Sequence, residues 1–328
     1  NAKSIEPFLQ ELNEQTFAKY NAFTVGEVLN ETDEELHFFI GKDGVFSSIF
    51  DFKQTMLCQE GKGWFDHSLP TADELKESIF QAHERADSIG VLSTIIENHD
   101  EPRGVSHYIA EGPVNYTSKK ALGTIQILRK GIPFIYQGQE IGMENQVFES
   151  VEDFDDIATI NGYHVAKEAG LTEEEALASI AKYSRDNART PMQWSAEPGL
   201  GFSDGPVWLI SPKPNAAINV EDQEKDPNSI LNYYRQLTAL YRHPLYGNTI
   251  RFGDMIPAYR DRENIIAFER RGDKRLLVIS NFQNRQATLE LPAPIKTVVL
   301  NNTAGLFQEG DQVLELAPYQ TVVLELVE

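Results

Sequence analysis

Cysteine is almost absent from the 328-residue sequence, with Cys58 as its one representative. A single cysteine cannot form an intrachain disulfide or supply a cysteine-rich zinc site. This usage is typical of a reducing compartment, so we expect a cytoplasmic location. No apolar run reaches the roughly 18 residues of a membrane-spanning helix, so no membrane partner is expected. A Gly-rich phosphate loop, a His-Glu-x-x-His pair and a Ser nucleophile elbow are also missing.

Positive charge is scarce as well. The sequence has 29 Lys and Arg residues against 50 Asp and Glu residues, which gives a net charge of −21. A strongly acidic protein repels phosphate backbones, so nucleic acid is excluded as an expected partner. A neutral ligand such as a sugar is not affected by this field. The 41% hydrophobic content is enough to bury the core of one large domain and a smaller one.

Helical and strand patterns alternate in the first 140 residues. Apolar residues at helical spacing predict helices over 6–20, 31–40, 71–87 and 117–130, and Thr71 opens the third with a capping box. Apolar and β-branched runs predict strands at 22–27, 45–52, 91–97 and 132–136. This alternation indicates a parallel sheet with crossover helices and therefore an α/β fold.

The rhythm breaks after the fourth strand. Residues 139–210 form a long excursion with a helix capped by Thr172, and 211–227 is predicted to be a Pro/Asn/Asp-rich loop before an amphipathic helix at 230–241. Short alternating segments then predict an antiparallel β-domain; they are 258–270, 274–282, 286–291, 296–300, 313–316 and 321–327. The predicted domains are 1–247, with the excursion as an insertion, and 248–328.

Two carboxylates follow predicted strands of the same sheet. Asp100 lies in Asn98-His99-Asp100, after the strand at 91–97, and Glu27 ends the strand at 22–27. Such residues bind sugar hydroxyls, ligate a metal, or simply cap the next helix or loop. Glycoside hydrolysis needs one protonated carboxyl and one ionised carboxylate beside an oxocarbenium-like transition state. The pair, with His99 and the arginines of the 185–189 segment, points toward that chemistry.

Four motifs give this chain a specific resemblance. They are Thr24-Val25-Gly26-Glu27, Asn98-His99-Asp100 with Pro102-Arg103, the run from Gly131 to Gly142, and the run from Arg185 to Trp194. In this order they resemble the alpha-amylase family, glycoside hydrolase family 13, and within it the oligo-1,6-glucosidase and dextran glucosidase group. The likeness covers the whole chain but only the C-terminal half of the family's enzyme. It implies strands five to eight of a (β/α)8 TIM barrel followed by a small antiparallel β-sandwich domain.

The resemblance also implies roles for individual residues. Glu27 matches the general acid/base, and Asp100 matches the carboxylate that binds the sugar and stabilises the distorted transition state. His99 matches a neighbour that binds the same glucose ring. Arg185 matches the arginine that closes the non-reducing end of the site in exo-acting enzymes. Lys62 matches a contact to the leaving group, next to the alternative of an exposed lysine.

This sequence departs from the family pattern in ways that bear on activity. The nucleophilic Asp of a Gly-Phe-Arg-x-Asp segment has no counterpart before Glu27, so the polypeptide alone is expected to be inactive. Ala158 stands where the dextran-glucosidase group has a glutamate, which leaves both α-1,6 and α-1,4 bonds open as substrates. No cofactor is expected, and any structural calcium site would lie in the missing half.

Two alternatives to an α-glucosidase remain at this stage. One is a related activity on the same scaffold, such as trehalose-6-phosphate hydrolysis, sucrose isomerisation or transglucosylation. The other is a non-catalytic sugar-binding relative. Half a barrel exposes two strand edges, so we expect association with the missing half or self-association.

Overall fold

Four short parallel strands form the sheet on which the first part of the chain is built. The computed structural model describes residues 5–55, 57, 64–66, 68–110, 112–209, 218–305 and 307–327. The strands are β1 (Val25–Gly26), β2 (Ser48–Phe50), β3 (Leu92–Thr94) and β4 (Ile132–Pro133). They lie in the order β1-β2-β3-β4, and each neighbouring pair is parallel. The four predicted strands are confirmed in place and direction, and each is shorter than predicted.

Helices connect the strands, as parallel pairing requires. They are α1 (Ile5–Leu12), α2 (Ala18–Tyr20), α3 (Asp33–Ile40), α4 (Ala72–Ala86), α5 (Gly104–Tyr108), α6 (Tyr116–Leu128), α7 (Ile157–Glu168), α8 (Glu173–Ala181), α9 (Asp186–Arg189), α10 (Val220–Lys225), α11 (Ile230–Tyr241) and α12 (Gly247–Phe252). A π turn, Asn13–Phe17, joins α1 to α2, so the predicted helix over 6–20 is confirmed. None of the described helices is long and apolar enough to cross a membrane.

Side-chain caps fix where several helices begin. The hydroxyls of Thr71 and Thr172 accept backbone N–H bonds from Glu74 and Glu175, which confirms both predicted caps. Asn219 caps α10 in the same way, through the N–H of Asp222 at 2.8 Å. The prediction of a continuous loop over 211–227 is therefore wrong for its second half.

Gly131 brings the end of α6 close to the sheet. Its φ is +141°, and a Cβ there would lie 2.6 Å from Thr94 Cγ2 and 2.7 Å from the carbonyl oxygen of Leu92. Only glycine allows this conformation and this close approach together. The helix predicted over 117–130 accordingly ends at Leu128, shortly before this glycine.

The last part of the chain is antiparallel. Its strands are β5 (Asp254–Ala258), β6 (Ile265–Arg271), β7 (Arg275–Asn281), β8 (Ala287–Glu290), β9 (Ile295–Asn301), β10 (Val313–Leu316) and β11 (Thr321–Leu326). One sheet has the order β5-β6-β7-β11-β9, and β10 pairs with β8. The prediction of one segment over 258–270 is wrong, because the chain turns between β5 and β6. Tyr259 and Asn264 make this turn with φ of 52° and 56°.

One hydrophobic cluster joins the helices to the antiparallel sheet. Its buried members include Leu75 and Phe80 of α4, Leu122 and Ile125 of α6, Leu237 of α11, Phe268 of β6 and Val278 of β7. Helices α4 and α6 thus pack directly against strands of the C-terminal sheet, and α11 packs against α6. This packing supports the side of the parallel sheet on which β3 and β4 lie.

Candidate active site

The carboxyl ends of the parallel strands meet at one edge of the sheet, and two predicted site residues follow them. Glu27 comes directly after β1 and is exposed. Asp100 lies in the turn after β3. Because β2 lies between β1 and β3, the two carboxylates start from strands about 10 Å apart. The two carboxylates thus lie at the same edge of the sheet, although their strands are not neighbours. Barrel enzymes have their active sites at this edge.

Asp100 is the centre of a charged cluster. Its Oδ1 accepts bonds from Arg189 Nη2 at 2.8 Å and Arg185 Nη1 at 3.4 Å, and His99 Nε2 lies 3.3 Å from its Oδ2. The side chain of Asp100 is 38% exposed and that of His99 63% exposed. The backbone N–H of Asp100 donates to Asn98 Oδ1 at 2.7 Å, so Asn98 fixes the turn. Two arginines offset the charge of this carboxylate while its side chain stays open to a ligand.

Asp156 holds Arg185 from the other side. Arg185 donates through Nε, at 3.1 Å, and through Nη2 to Asp156 Oδ1. Asp156 also caps α7 by accepting the N–H groups of Ala158 and Thr159. Burial raises the pKa of Asp156, but its hydrogen bonds from Arg185 and Thr159 outweigh burial and bring that pKa below its usual value. Arg185 is thereby fixed between two carboxylates.

Two residues of this cluster, Arg189 and Asp156, had been given no individual role from the sequence. Arg189 lies one helical turn after Arg185, and its Nε donates to the carbonyl oxygen of His99 at 2.9 Å. The i, i+4 spacing of the two arginines is the signal that could have identified it. Asp156 lies two residues before Ala158, in the segment compared with the dextran-glucosidase group, but its contact with Arg185, 29 positions away in sequence, had no local signal. Lys62 lies outside the described residues, so its predicted role stays a prediction.

Glu101 is the next carboxyl along the chain. Burial and the neighbouring Asp100 raise the pKa of Glu101 to about 7. The described residues hold no group of three or more His, Cys, Asp or Glu side chains that could bind a metal ion. The arginine, imidazole and carboxylate groups around Asp100 can offer hydrogen-bond donors and acceptors to a neutral polyhydroxyl ligand.

Comparison with known families agrees with this architecture. Residues 1–245 match the alpha amylase catalytic domain, and residues 265–323 match the alpha-amylase SusG C-terminal domain. The first match covers the parallel sheet with its helices, and the second lies within the antiparallel sheets.

Individual relatives are named as glucosidases or as isomaltulose synthase. The chain is 36% identical over 298 residues to probable oligo-1,6-glucosidase 2 of Bacillus subtilis strain 168, covering 89% of this chain and 52% of that protein. It is 34% identical over 333 residues to glucan 1,6-alpha-glucosidase of Streptococcus pneumoniae serotype 4, covering 100% of this chain and 61% of that protein. The solved structure of isomaltulose synthase from Klebsiella sp. LX3 superposes with a TM-score of 0.91 at 29% identity, covering 99% of this chain and 59% of that one.

The chain spans little more than half the length of these relatives. The family match nevertheless extends over most of the chain, and it includes the parallel sheet and the Asp100 cluster. The predicted fold class is confirmed, with part of a TIM barrel followed by an antiparallel β-domain. The chain belongs to the alpha-amylase family of glycoside hydrolases.

Proposed function

We propose that this chain carries part of the active site of a retaining, exo-acting α-glucosidase that hydrolyses α-1,6 or α-1,4 bonds of short oligosaccharides. The observation that carries the proposal is the Asp100 carboxylate, which two arginines and His99 surround on the same sheet edge as Glu27. The glucosidase names of the relatives support the substrate class.

In this proposal Glu27 is the general acid/base. It gives a proton to the oxygen of the leaving sugar and later takes one from the attacking water. Its exposure at the end of β1 leaves it open to a ligand on that edge. Asp100 holds hydroxyls of the reacting sugar and offsets the positive charge that develops on the ring. His99 and Arg185 bind the same sugar, and Arg185 limits the site to one terminal residue.

The proposal includes a prediction about the isolated polypeptide. The retaining mechanism needs a second carboxylate that forms the glycosyl-enzyme bond. No Gly-Phe-Arg-x-Asp segment occurs in this sequence. We therefore expect no hydrolysis of p-nitrophenyl α-glucoside by the 328-residue polypeptide, and we expect measurable glucose binding.

The test measures both properties on purified protein. Release of p-nitrophenol is followed with the unchanged polypeptide and with Glu27→Gln, and glucose binding is followed by NMR titration. Turnover that disappears in Glu27→Gln would refute the predicted inactivity and support the role of Glu27. Failure of the unchanged polypeptide to bind glucose would refute the proposed sugar site, and so would glucose binding that Asp100→Asn leaves unchanged.

A related activity on the same scaffold is the second candidate. The resemblance to isomaltulose synthase supports it, since sucrose isomerisation would use the same sugar-binding cluster. Ala158 lies in the first turn of α7, near Asp156, and brings no carboxylate to that position. Comparing isomaltose, maltose and sucrose as ligands distinguishes the candidates, because preferential sucrose binding favours the isomerase.

The proposal extends to setting and partners. The scarcity of cysteine supports a cytoplasmic location. The proposed enzyme works without a cofactor, since acid/base and nucleophilic carboxylates carry out the reaction. Association with the rest of an alpha-amylase barrel, or with another copy of the chain, would cover the open strand edges of β1 and β4.

A further inference from the structure

A buried ion pair lies beneath the Asp100 cluster and has no role in the chemistry described so far. Arg103 Nη1 and Glu97 Oε1 are 3.1 Å apart, and both side chains are 1% exposed. The other oxygen of Glu97 accepts the backbone N–H of Gly104. Burial raises the pKa of Glu97, and Arg103 acts against that rise. Burying two charges costs free energy, so such a pair is weak evidence for stability alone.

The remaining donors of Arg103 reach two other segments. Nη1 donates to the carbonyl oxygen of Gln137 at 2.7 Å, in the turn after β4. Nε and Nη2 donate to the carbonyl oxygens of Asn187 and Ala188 at 3.3 and 3.5 Å. The guanidinium also lies over the ring of Tyr136, 5.5 Å from its centroid. One side chain thus connects the turns after β3 and β4 with helix α9.

Helix α9 is the segment that carries the arginines of the site. Arg185 precedes its first residue and Arg189 is its last, while Asn187 and Ala188 lie between them. A single helical turn does not hold its own shape in water. The contacts from Arg103 fix this turn against the loop that bears Asp100. The phenol of Tyr136 adds a bond to the carbonyl oxygen of Ala188 at 3.1 Å.

We propose that Glu97 and Arg103 form a positioning pair, which sets the distance between Asp100 and its arginines Arg185 and Arg189. That the bound ligand is a sugar rests on the proposed function. The effect of the pair on the position of Arg185 and Arg189 does not rest on it. Arginine suits the role because its planar fork offers five fixed donors. Lysine would keep the charge but could not bond the Gln137, Asn187 and Ala188 carbonyl oxygens in this arrangement.

The test compares Arg103→Lys with Arg129→Lys, a matched control. Arg129 is also buried, lies 3.2 Å from Asp51 and donates to the carbonyl oxygen of Ile95. Both variants weaken a buried ion pair, but the described contacts of Arg129 do not involve α9. Each variant is scored by Tm, by the Nε–Hε NMR signals of Arg185 and Arg189, and by glucose affinity.

We expect Arg103→Lys to shift both arginine signals and to weaken glucose binding about tenfold. Arg129→Lys should lower Tm without either effect. Tyr136→Phe, which leaves the buried charges in place, should shift the Arg189 signal and weaken glucose binding by a smaller factor, so the proposal stays testable if Arg103→Lys fails to fold.

Three outcomes are distinguishable. Unchanged arginine signals and affinity in both Arg103→Lys and Tyr136→Phe would overturn the positioning role. Equal effects of Arg103→Lys and Arg129→Lys would also overturn it, because general destabilisation would then explain the loss. If the unchanged protein binds no glucose but its arginine signals respond as expected, the positioning pair stands and the proposed function fails.

Discussion

Glu101 lies beside Asp100, and its titration should make stability depend on pH. Burial and Asp100 raise its pKa from 4.5 to about 7. Between these values the folded protein keeps a proton that the unfolded chain has lost, so stability falls as pH rises through 7. Glu101→Gln removes this penalty. We expect it to add about 3 kcal/mol to the free energy of unfolding at pH 8 and nothing at pH 4, by urea denaturation.

Glu77→Gln serves as the control of opposite sign. Hydrogen bonds from Arg260 lower the pKa of Glu77, so its charged form stabilises the fold above pH 4.5 and that contribution is lost as pH falls. This variant should therefore lose stability at pH 8 and match the unchanged protein at low pH. A gain from Glu101→Gln that is equal at both pH values would contradict the assigned cause.

Local sequence could identify the polar turn but only part of its contacts. The Asn98-His99-Asp100 stretch is recognisable because it ends an apolar run, and the structure brings Asp100 into contact with His99 and Arg185. The roles of Asp156 and Arg103 depend on contacts with residues about 30 to 85 positions away. No local pattern encodes those distances, so these residues could not be assigned before the fold was known.

At the level of single elements, the capping box of α4 offers a direct test. Thr71 Oγ1 accepts the N–H of Glu74 at 3.2 Å, and Glu74 Oε2 accepts the N–H of Thr71 at 2.7 Å. Thr71→Ala leaves backbone donors without their side-chain partners and should cost about 1 kcal/mol of stability. Thermal unfolding measures the loss. Gln81→Ala, on the exposed middle of the same helix, should change stability by less than about 0.5 kcal/mol.

The ends of the strands could not be predicted from the hydrophobic pattern of each segment alone. The apolar run to Ile96 predicts a long strand, yet β3 ends at Thr94. The carbonyl oxygen of Ile95 instead accepts bonds from Gln54 and Arg129, two side chains from other segments. Helix starts were predicted well because a cap involves residues three apart, whereas a strand end depends on partners far along the chain.

For the whole molecule, the two open edges of the parallel sheet are the surface that most favours association. In the described part of the chain, β1 and β4 are the outer strands, each paired on one side. Helix α1 buries none of its residues, and Ile5, Phe8 and Leu12 are 48%, 65% and 42% exposed. Exposed apolar faces and open strand edges both favour association. The half-barrel was predictable, whereas the packing of the C-terminal sheet against α4 and α6 was not, since those contacts join segments that are distant in sequence.

We expect the isolated polypeptide to associate rather than behave as a monomer in size-exclusion chromatography with light scattering. Phe8→Lys combined with Leu12→Lys adds charge to the exposed face of α1 and should shift the population toward monomer, because burying two lysines at an interface costs more than leaving them in water. Phe252→Lys is the matched control: Phe252 is 72% exposed in α12, at the boundary with the antiparallel sheet. If the unchanged protein is a monomer, the open edges are tolerated in water. If Phe252→Lys shifts the population as much as the α1 variant does, association does not depend on α1.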